Sequence, residues 1–480
     1  MSTPPRFRYE QLAQFIEQQV RSGTLAPGAP APSLRELSRQ HGASLTTAVQ
    51  AYRLLEDRGV LSARPQSGFY VHGTRLVPPV PNASKASARP RDVSQSGLMR
   101  ALLEHASDER FVALGCAIPS VELLASRRLD GLLARTARTD GARHNVYLEA
   151  RGWPALRHEI ARRALRWGHA ANVDQIVVTC GATEALALAL KAVARPGDVI
   201  GIESPTYFGL LQLLRAQGLQ AVELATSAET GVRIDALRDT LRQHKLRACV
   251  LSSSFSNPLG FTMPEADKLA VLRLLRQHRA TLIEDDVYGD LHFDAVRPPP
   301  FKALDRHDNV LYCASFSKTL APGYRMGWID AGPRVDQVIE AKFSTTLCGP
   351  VLQQVALAEY LACGGYDHHL RRLRRLLAGT MQRMAHEVAL TFPAGTRLSR
   401  PRGGFVLWVE LDKRVDTRAL FLAALEQGVC LAPGAIFSAT GQHGHCLRLS
   451  GGQGWSPRLQ AGIGVVGDLV KKALARSSRA

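Results

Sequence analysis

Lys318 lies in Ser315-Phe316-Ser317-Lys318-Thr319, next to two serine hydroxyls, and Arg325 follows within Pro322-Gly323-Tyr324-Arg325-Met326-Gly327. A lysine beside phosphate-binding hydroxyls and an arginine suits a particular task, a Schiff base with an aldehyde whose phosphate is clamped nearby. A surface lysine on a turn is the plain alternative, and the flanking serines and downstream arginine argue against it. Asp285, in Glu284-Asp285-Asp286-Val287-Tyr288, ends an apolar run through Leu282-Ile283. A carboxylate at the end of a buried strand is costly unless paired, and a pyridinium nitrogen is a suitable partner. Asn257, in Ser256-Asn257-Pro258-Leu259-Gly260, can bond a phenolate oxygen. Thr179-Cys180-Gly181-Ala182-Thr183-Glu184 joins an apolar run to a helical pattern. Free N–H groups at such a helix start cradle phosphate, and Gly181 lets the backbone come close.

These groups need a scaffold that brings them together. From about residue 98, β-rich apolar runs alternate with helical stretches: IVVTC with ATEALALALKAVA, DVIGIE with YFGLLQLLRAQG, ACVLSSSF with EADKLAVLRLLRQH, then TLIEDDVYG and VLYCASFSK. This alternation predicts a mostly parallel sheet covered on both faces, with ligands at the carboxyl ends of its strands. Asn257, Asp285 and Lys318 are 28 and 33 residues apart, each about one βα unit beyond the last. Together they describe a site for pyridoxal 5′-phosphate. That cofactor needs a lysine, an acid under its ring nitrogen, a donor to its phenolic oxygen and a phosphate clamp. Residues 400–480 carry shorter strands and helices and read as a smaller subdomain.

The N-terminal 70 or so residues follow a different pattern. Leu12, Phe15, Ile16 and Val20 fall at helical spacing within 9–22, giving a helix with one buried face. Ser33 with Glu36 forms a capping box for a second helix, and Ser44 caps a third that ends at Gly59. Val60-Leu61, a turn at 65–68 and Phe69-Tyr70-Val71 read as a β-hairpin wing. The short turn between the second and third helices predicts a helix-turn-helix. Ser44, Thr46, Thr47 and Gln50 then lie at the groove-facing end of the third helix. Arg35 and Arg53 are placed to hold phosphates, and Arg64 on the wing to reach the adjacent groove. Residues 74–100 are rich in Pro, Ser and Ala without apolar period and predict a linker, with a packed extended arm as the alternative.

The 480-residue chain carries 60 Lys plus Arg against 42 Asp plus Glu, a net charge of +18 that favours polyanionic partners. Its 45% hydrophobic content excludes wholesale disorder. The eight cysteines are scattered in apolar contexts without a CxxC pair, which predicts reduced, mostly buried thiols and a cytoplasmic protein. No apolar run is long enough for a bilayer, and the start of the chain has no secretory pattern, so no membrane partner is expected. His443-Gly444-His445-Cys446 is better explained as a turn than as a metal site. Arg371-Arg372-Leu373-Arg374-Arg375 reads as a solvated helical face.

Residues 7–72 resemble the winged helix of GntR-family repressors. The match runs through Leu25-Ala26-Pro27-Gly28, Pro32-Ser33-Leu34-Arg35-Glu36-Leu37, Ser44-Leu45-Thr46-Thr47-Ala48-Val49 and Gly68-Phe69-Tyr70-Val71. Leu45 stands where that family usually carries arginine, leaving one cation fewer at the groove. Residues 98–480 resemble fold type I, class I aminotransferases. The resemblance implies that Lys318 is the Schiff-base lysine, that Asp285 pairs with the ring nitrogen, and that Tyr288 and Asn257 bond the phenolic oxygen. It implies stacking of Tyr207 on the ring. The phosphate would be held by Ala182, Thr183, Ser315, Ser317 and Arg325, with Tyr147 reaching the neighbouring subunit's phosphate. Arg448, in Leu447-Arg448-Leu449-Ser450, would take a substrate or effector α-carboxylate; a basic surface residue is its plain alternative.

A GntR-type head on such a body is the arrangement of the MocR family of transcription regulators. The expected fold is a small α+β winged helix over 1–73, a linker over 74–100 and an α/β aminotransferase-like domain over 101–480, with an α+β subdomain from about 360. The expected function is a bacterial regulator, nucleoid-associated when bound to operator DNA, that senses pyridoxal phosphate or an amino compound at Lys318. A working aminotransferase with catalytic Lys318, Asp285 and Tyr288 is the alternative. The family implies a head-to-tail homodimer.

Overall fold

Leu12, Ala13, Ile16 and Val20 form one buried stripe of a first helix, α1 (Arg8–Arg21). The computed structural model describes residues 7–477 except 22–23, 27, 58–59, 65–66, 72–77, 85–88, 92–96 and 106–107. Phe15, expected in that stripe, is 40% exposed and edge-on to His41, because it falls one position off the i, i+4 row. Ala13 occupies the buried place instead. In α2 (Leu34–Gln40) the Glu36 N–H donates to Ser33 Oγ at 3.2 Å, and the Ser33 N–H donates to the Glu36 carboxylate. Helix α3 (Leu45–Asp57) begins at Ser44, whose Oγ accepts the Thr47 N–H at 3.1 Å. Tyr52 crosses the small core and donates its hydroxyl to the Pro32 carbonyl, which keeps its buried polar end satisfied. Strands β1 (Leu61–Arg64) and β2 (Gly68–Val71) form the antiparallel wing.

The body begins with a short strand, β3 (Val112–Ala113), and continues with β4 (Ile176–Thr179), β5 (Val199–Ser204), β6 (Gln220–Ser227) and β7 (Gly231–Val232). Then come β8 (Leu246–Leu251), β9 (Thr281–Asp285), β10 (Val310–Ser315) and β11 (Gly327–Asp330). These last eight form one sheet in the order β4-β11-β10-β9-β8-β5-β6-β7. It is parallel except that β11 runs antiparallel to β10 and β4, and β7 to β6. Strands β4 and β10 are buried along their whole length, as a sheet covered on both faces requires.

A second sheet holds β12 (Arg397–Leu398), β13 (Val406–Glu410), β15 (Ala432–Pro433) and β16 (Cys446–Ser450), following β14 (Val429–Cys430) in the chain before β15. Its order is β12-β13-β16-β15, all antiparallel. Beside it, β14 pairs in parallel with β3, so the start of the body is stitched into its C-terminal part.

The described part of the 74–100 stretch is an arm packed on the body. Pro79 O accepts the Leu398 N–H, and Asn82 donates twice to the Glu410 carboxylate at 2.7 Å. Further along, Ser84 exchanges hydrogen bonds with Thr226, and Arg91 pairs with Ala221. The prolines set an extended path, and the unsatisfied backbone groups of two sheet edges take it up.

Candidate cofactor and effector site

Lys318, Asp285, Asn257, Tyr207, Tyr288 and Arg448 converge on one cavity of about 240 Å³ at the carboxyl ends of the central strands. Ala182, Thr183, Ser315, Ser317 and Arg325 line the same space. The topology accounts for this: parallel β8, β9 and β10 stand side by side and each releases its chain at the same edge.

Lys318 donates Nζ to the Ala117 carbonyl at 2.7 Å. Burial, then Arg448 and Arg325, push its pKa down to about 8, so a neutral amine is accessible near physiological pH. Asp285 is pushed up to about 7 by burial and the adjacent Asp286. Its Oδ1 and the Tyr288 hydroxyl are buried with no hydrogen-bond partner among the described residues. Two orphaned polar atoms in one cavity call for a ligand that bonds both, and a protonated ring nitrogen with a neighbouring phenolic oxygen does so. At the phosphate end, helix Ala182–Val193 opens with its N-terminus on the cavity. Gly181, at φ +83°, admits Arg325: a Cβ there would lie 2.5 Å from Arg325 Nη2, which bonds the Cys180 carbonyl at 3.0 Å. The residues present fit pyridoxal phosphate.

Arg448 is not on the surface. It is buried on β16, donates to Asn257 Oδ1 at 2.8 Å and to the Gly115 carbonyl, and lies 5.0 Å from the Phe437 ring centroid. Among the described residues no carboxylate pairs with it. A buried guanidinium without a counter-ion is a receptor for an anionic group.

Tyr147 is not brought to this cavity; it is 85% exposed. Its loop is held by Lys342, whose Nζ donates to the carbonyls of Ala150 and Val178. On the head, Arg35, Ser44, Thr46, Gln50 and Arg53 are exposed, while Thr47 is partly buried against Ser44. The Arg64 side chain lies outside the described residues.

Two parts of the site carried no sequence signal. The wall formed by Gly115, Cys116, Ala117 and Ile118 comes from a short segment with neither periodicity nor motif. Behind Asp285 lies a buried ionic cluster: Asp286 pairs with Arg297 and accepts the Tyr312 hydroxyl at 2.6 Å, and Asp290 pairs with Arg297 at 2.8 Å and Arg163 at 3.0 Å. Arg374 also enters it, donating Nε to the Asp290 carbonyl, so the arginine run is not wholly solvated as expected. Arg371, Arg372 and Arg375 are exposed. His443 bonds Ser204, and no group of metal-ligating side chains occurs among the described residues.

Residues 8–71 match the model for bacterial regulatory proteins of the gntR family, and residues 124–453 that for aminotransferase class I and II. The HTH-type transcriptional regulator YdcR of Escherichia coli (strain K12) is 37% identical over 97% of this chain and 100% of its own length. This chain belongs to the MocR-type transcriptional regulators. Such a regulator joins a winged helix to an aminotransferase body, and 2-aminoadipate transaminase of Thermus thermophilus is 31% identical over 74% of this chain and 89% of that protein. The structure of the α-aminoadipate aminotransferase LysN from Thermus thermophilus, complexed with N-(5′-phosphopyridoxyl)-L-leucine, superimposes with a TM-score of 0.74. It is 30% identical and covers 80% of this chain and 96% of that one. The MocR body therefore has the fold of pyridoxal phosphate aminotransferases, and pyridoxal phosphate is its cofactor. The head binds DNA and the body takes an amino compound. No helix among the described residues is long and apolar enough to cross a membrane.

Proposed function

We propose that this MocR-type regulator reads the supply of pyridoxal phosphate, or of an amino compound that reacts with it, and converts that reading into altered operator binding. The observation that carries this is buried Arg448, without a carboxylate partner among the described residues, in one cavity with Lys318, on a chain that also bears a gntR-family head. When bound, the cofactor supplies an electrophilic carbon and an electron sink. The chain's own residues bind and orient. Asp285 holds the ring nitrogen's proton, and Tyr288 with the Asn257 amide donates to the phenolic oxygen. Ala182, Thr183, Ser315, Ser317 and Arg325 hold the phosphate. Arg448 takes the effector's carboxylate, and Lys318, as a neutral amine, accepts and returns a proton at the effector's α-carbon.

Residues 1–73 act as the DNA-binding unit, with Arg35, Thr46, Gln50 and Arg53 on the duplex, and 101–480 as the sensing unit. The 85% exposure of Tyr147 supports a head-to-tail homodimer in which it enters the partner's site.

Fluorescence anisotropy on the DNA upstream of the protein's own gene tests this, at fixed salt against scrambled DNA, with cofactor-stripped and reloaded protein. Sequence-specific binding that changes with pyridoxal phosphate or an added amino acid is expected. Binding indifferent to both overturns it. The full set of catalytic side chains favours a second reading, a turning-over aminotransferase, and multiple-turnover amino transfer to a keto acid would establish it.

A further inference from the structure

Cys116 lines the cavity between two carbonyls that each hold a cation: Gly115 O accepts from Arg448 and Ala117 O from Lys318. Its thiol lies close enough to that of Cys430 for each to shift the other's ionisation. The backbone fixes the pair. Val112 and Ala113 on β3 run in register with Val429 and Cys430 on β14, and the Gly115 N–H donates to the Cys430 carbonyl. Gly115 must be glycine, since a Cβ there would lie 2.5 Å from the Leu431 carbonyl carbon.

The cofactor site uses neither thiol. Their surroundings divide a task between them. Cys116 faces the cavity while Cys430 is fully buried behind it; Cys430, Arg448 and Lys318 beside it hold the Cys116 thiol below its ordinary range, and Cys116 and burial hold the Cys430 thiol up. Cys249 and Cys313 differ: both are sealed in the sheet, and burial pushes them up, Cys249 to about 12.

We propose that Cys116 is a peroxide-reactive thiol and Cys430 its resolving partner, closing a reversible disulfide in the wall of the effector cavity. The oxidant is a small hydroperoxide that enters through the cavity. Cys116 Sγ, as thiolate, attacks one peroxide oxygen; the O–O bond breaks and the departing hydroxide takes up a proton as water. Cys116 is left as a sulfenic acid. Cys430 Sγ then attacks Cys116 Sγ, the S–O bond breaks, and a second water leaves with the Cys430 proton. Two thiols are oxidised by two electrons and one peroxide is reduced to two waters. The new bond lies between the carbonyls that hold Lys318 and Arg448, so it acts directly on the grip for an amino compound.

The test uses the full-length, cofactor-loaded protein, treated with hydrogen peroxide, alkylated, and digested without reductant for mass spectrometry. A peptide pair joining Cys116 to Cys430, two hydrogens lighter than the separate peptides and lost with dithiothreitol, is expected. Cys430→Ser should stop at the sulfenic acid, with dimedone capturing Cys116 about tenfold faster than exposed Cys363. A wild type in which Cys116 stays reduced while Cys363 oxidises, or in which Cys116 joins another cysteine, overturns the proposal. The wild type alone decides, so a poorly folding variant does not block the result. The readout needs neither DNA nor an amino compound and stands apart from the regulator reading.

Discussion

Arg448 and Asn257 are joined by an Nη1–Oδ1 hydrogen bond of 2.8 Å, so the cation proposed to take a carboxylate also orients the amide proposed to bond the cofactor's phenolic oxygen. Because Arg448 occupies the amide oxygen, Asn257 offers a ligand its N–H. On the proposed roles, effector and cofactor recognition would be linked through this shared pair of side chains.

Truncating Arg448 separates the two. Arg448→Ala should weaken amino acids by about 2–5 kcal/mol, the range for losing one partner of a buried charged contact. An amine without a carboxylate should be affected far less. Titration of the visible absorbance with each compound checks this, and equal losses would place the carboxylate elsewhere.

The lowered pKa of Lys318 has a direction. Below about pH 8 its amine is protonated and unreactive; above that it is neutral. The rate at which stripped protein regains its visible band on addition of pyridoxal phosphate should therefore rise with pH and level off above about 8, rather than climb towards the 10.5 of an ordinary lysine. Stopped-flow absorbance across that range measures it. Lys318→Ala should bind the cofactor without the band while keeping its far-ultraviolet circular dichroism; a wild-type visible spectrum would refute the assignment.

Behind the site, Arg297 bridges Asp286 and Asp290. Arg297→Leu strands a buried carboxylate and should cost about 3–5 kcal/mol of stability. Asp286 is already pushed up by burial, so in the variant the folded state binds a proton more readily than the unfolded chain. The deficit should then shrink as pH falls. Urea denaturation of wild type and variant at two pH values tests both sign and size.

On the head, Leu45 is the first residue of α3 and 49% exposed. Leu45→Arg should add one phosphate contact, strengthening DNA binding and steepening the slope of log K against log salt by about 0.9. Anisotropy at several salt concentrations gives the slope. Thr46→Ala with Gln50→Ala should instead reduce preference for operator over scrambled DNA and leave the visible spectrum unchanged.

The strand-end motifs are legible because their residues are contiguous and their spacing follows the βα repeat, which puts Asn257, Asp285 and Lys318 at successive strand ends. The winged helix was legible from its caps, Ser33 and Ser44. Gly115–Ile118 was not, since its place in the cavity depends on the parallel β3–β14 pairing, a contact between segments far apart in the chain. Arg448 could be named by its motif, but its burial follows from where β16 lies in the second sheet. The arm read as a linker because proline and serine look alike in a free segment and a docked one. Only the edges of β6 and β12 distinguish them.

That arm has a mechanical consequence. Asn82 is fastened to Glu410 on the small sheet and Ser84 to Thr226 on the large one. Two residues span at most ~7 Å, so the tether has almost no slack. Arg448 rides on the small sheet and Lys318 follows a strand of the large sheet. A ligand gripped by both pulls on the same two bodies that the tether spans. Any rotation between them must stretch or relax the Asn82–Ser84 segment, which makes it a strain gauge for the cavity.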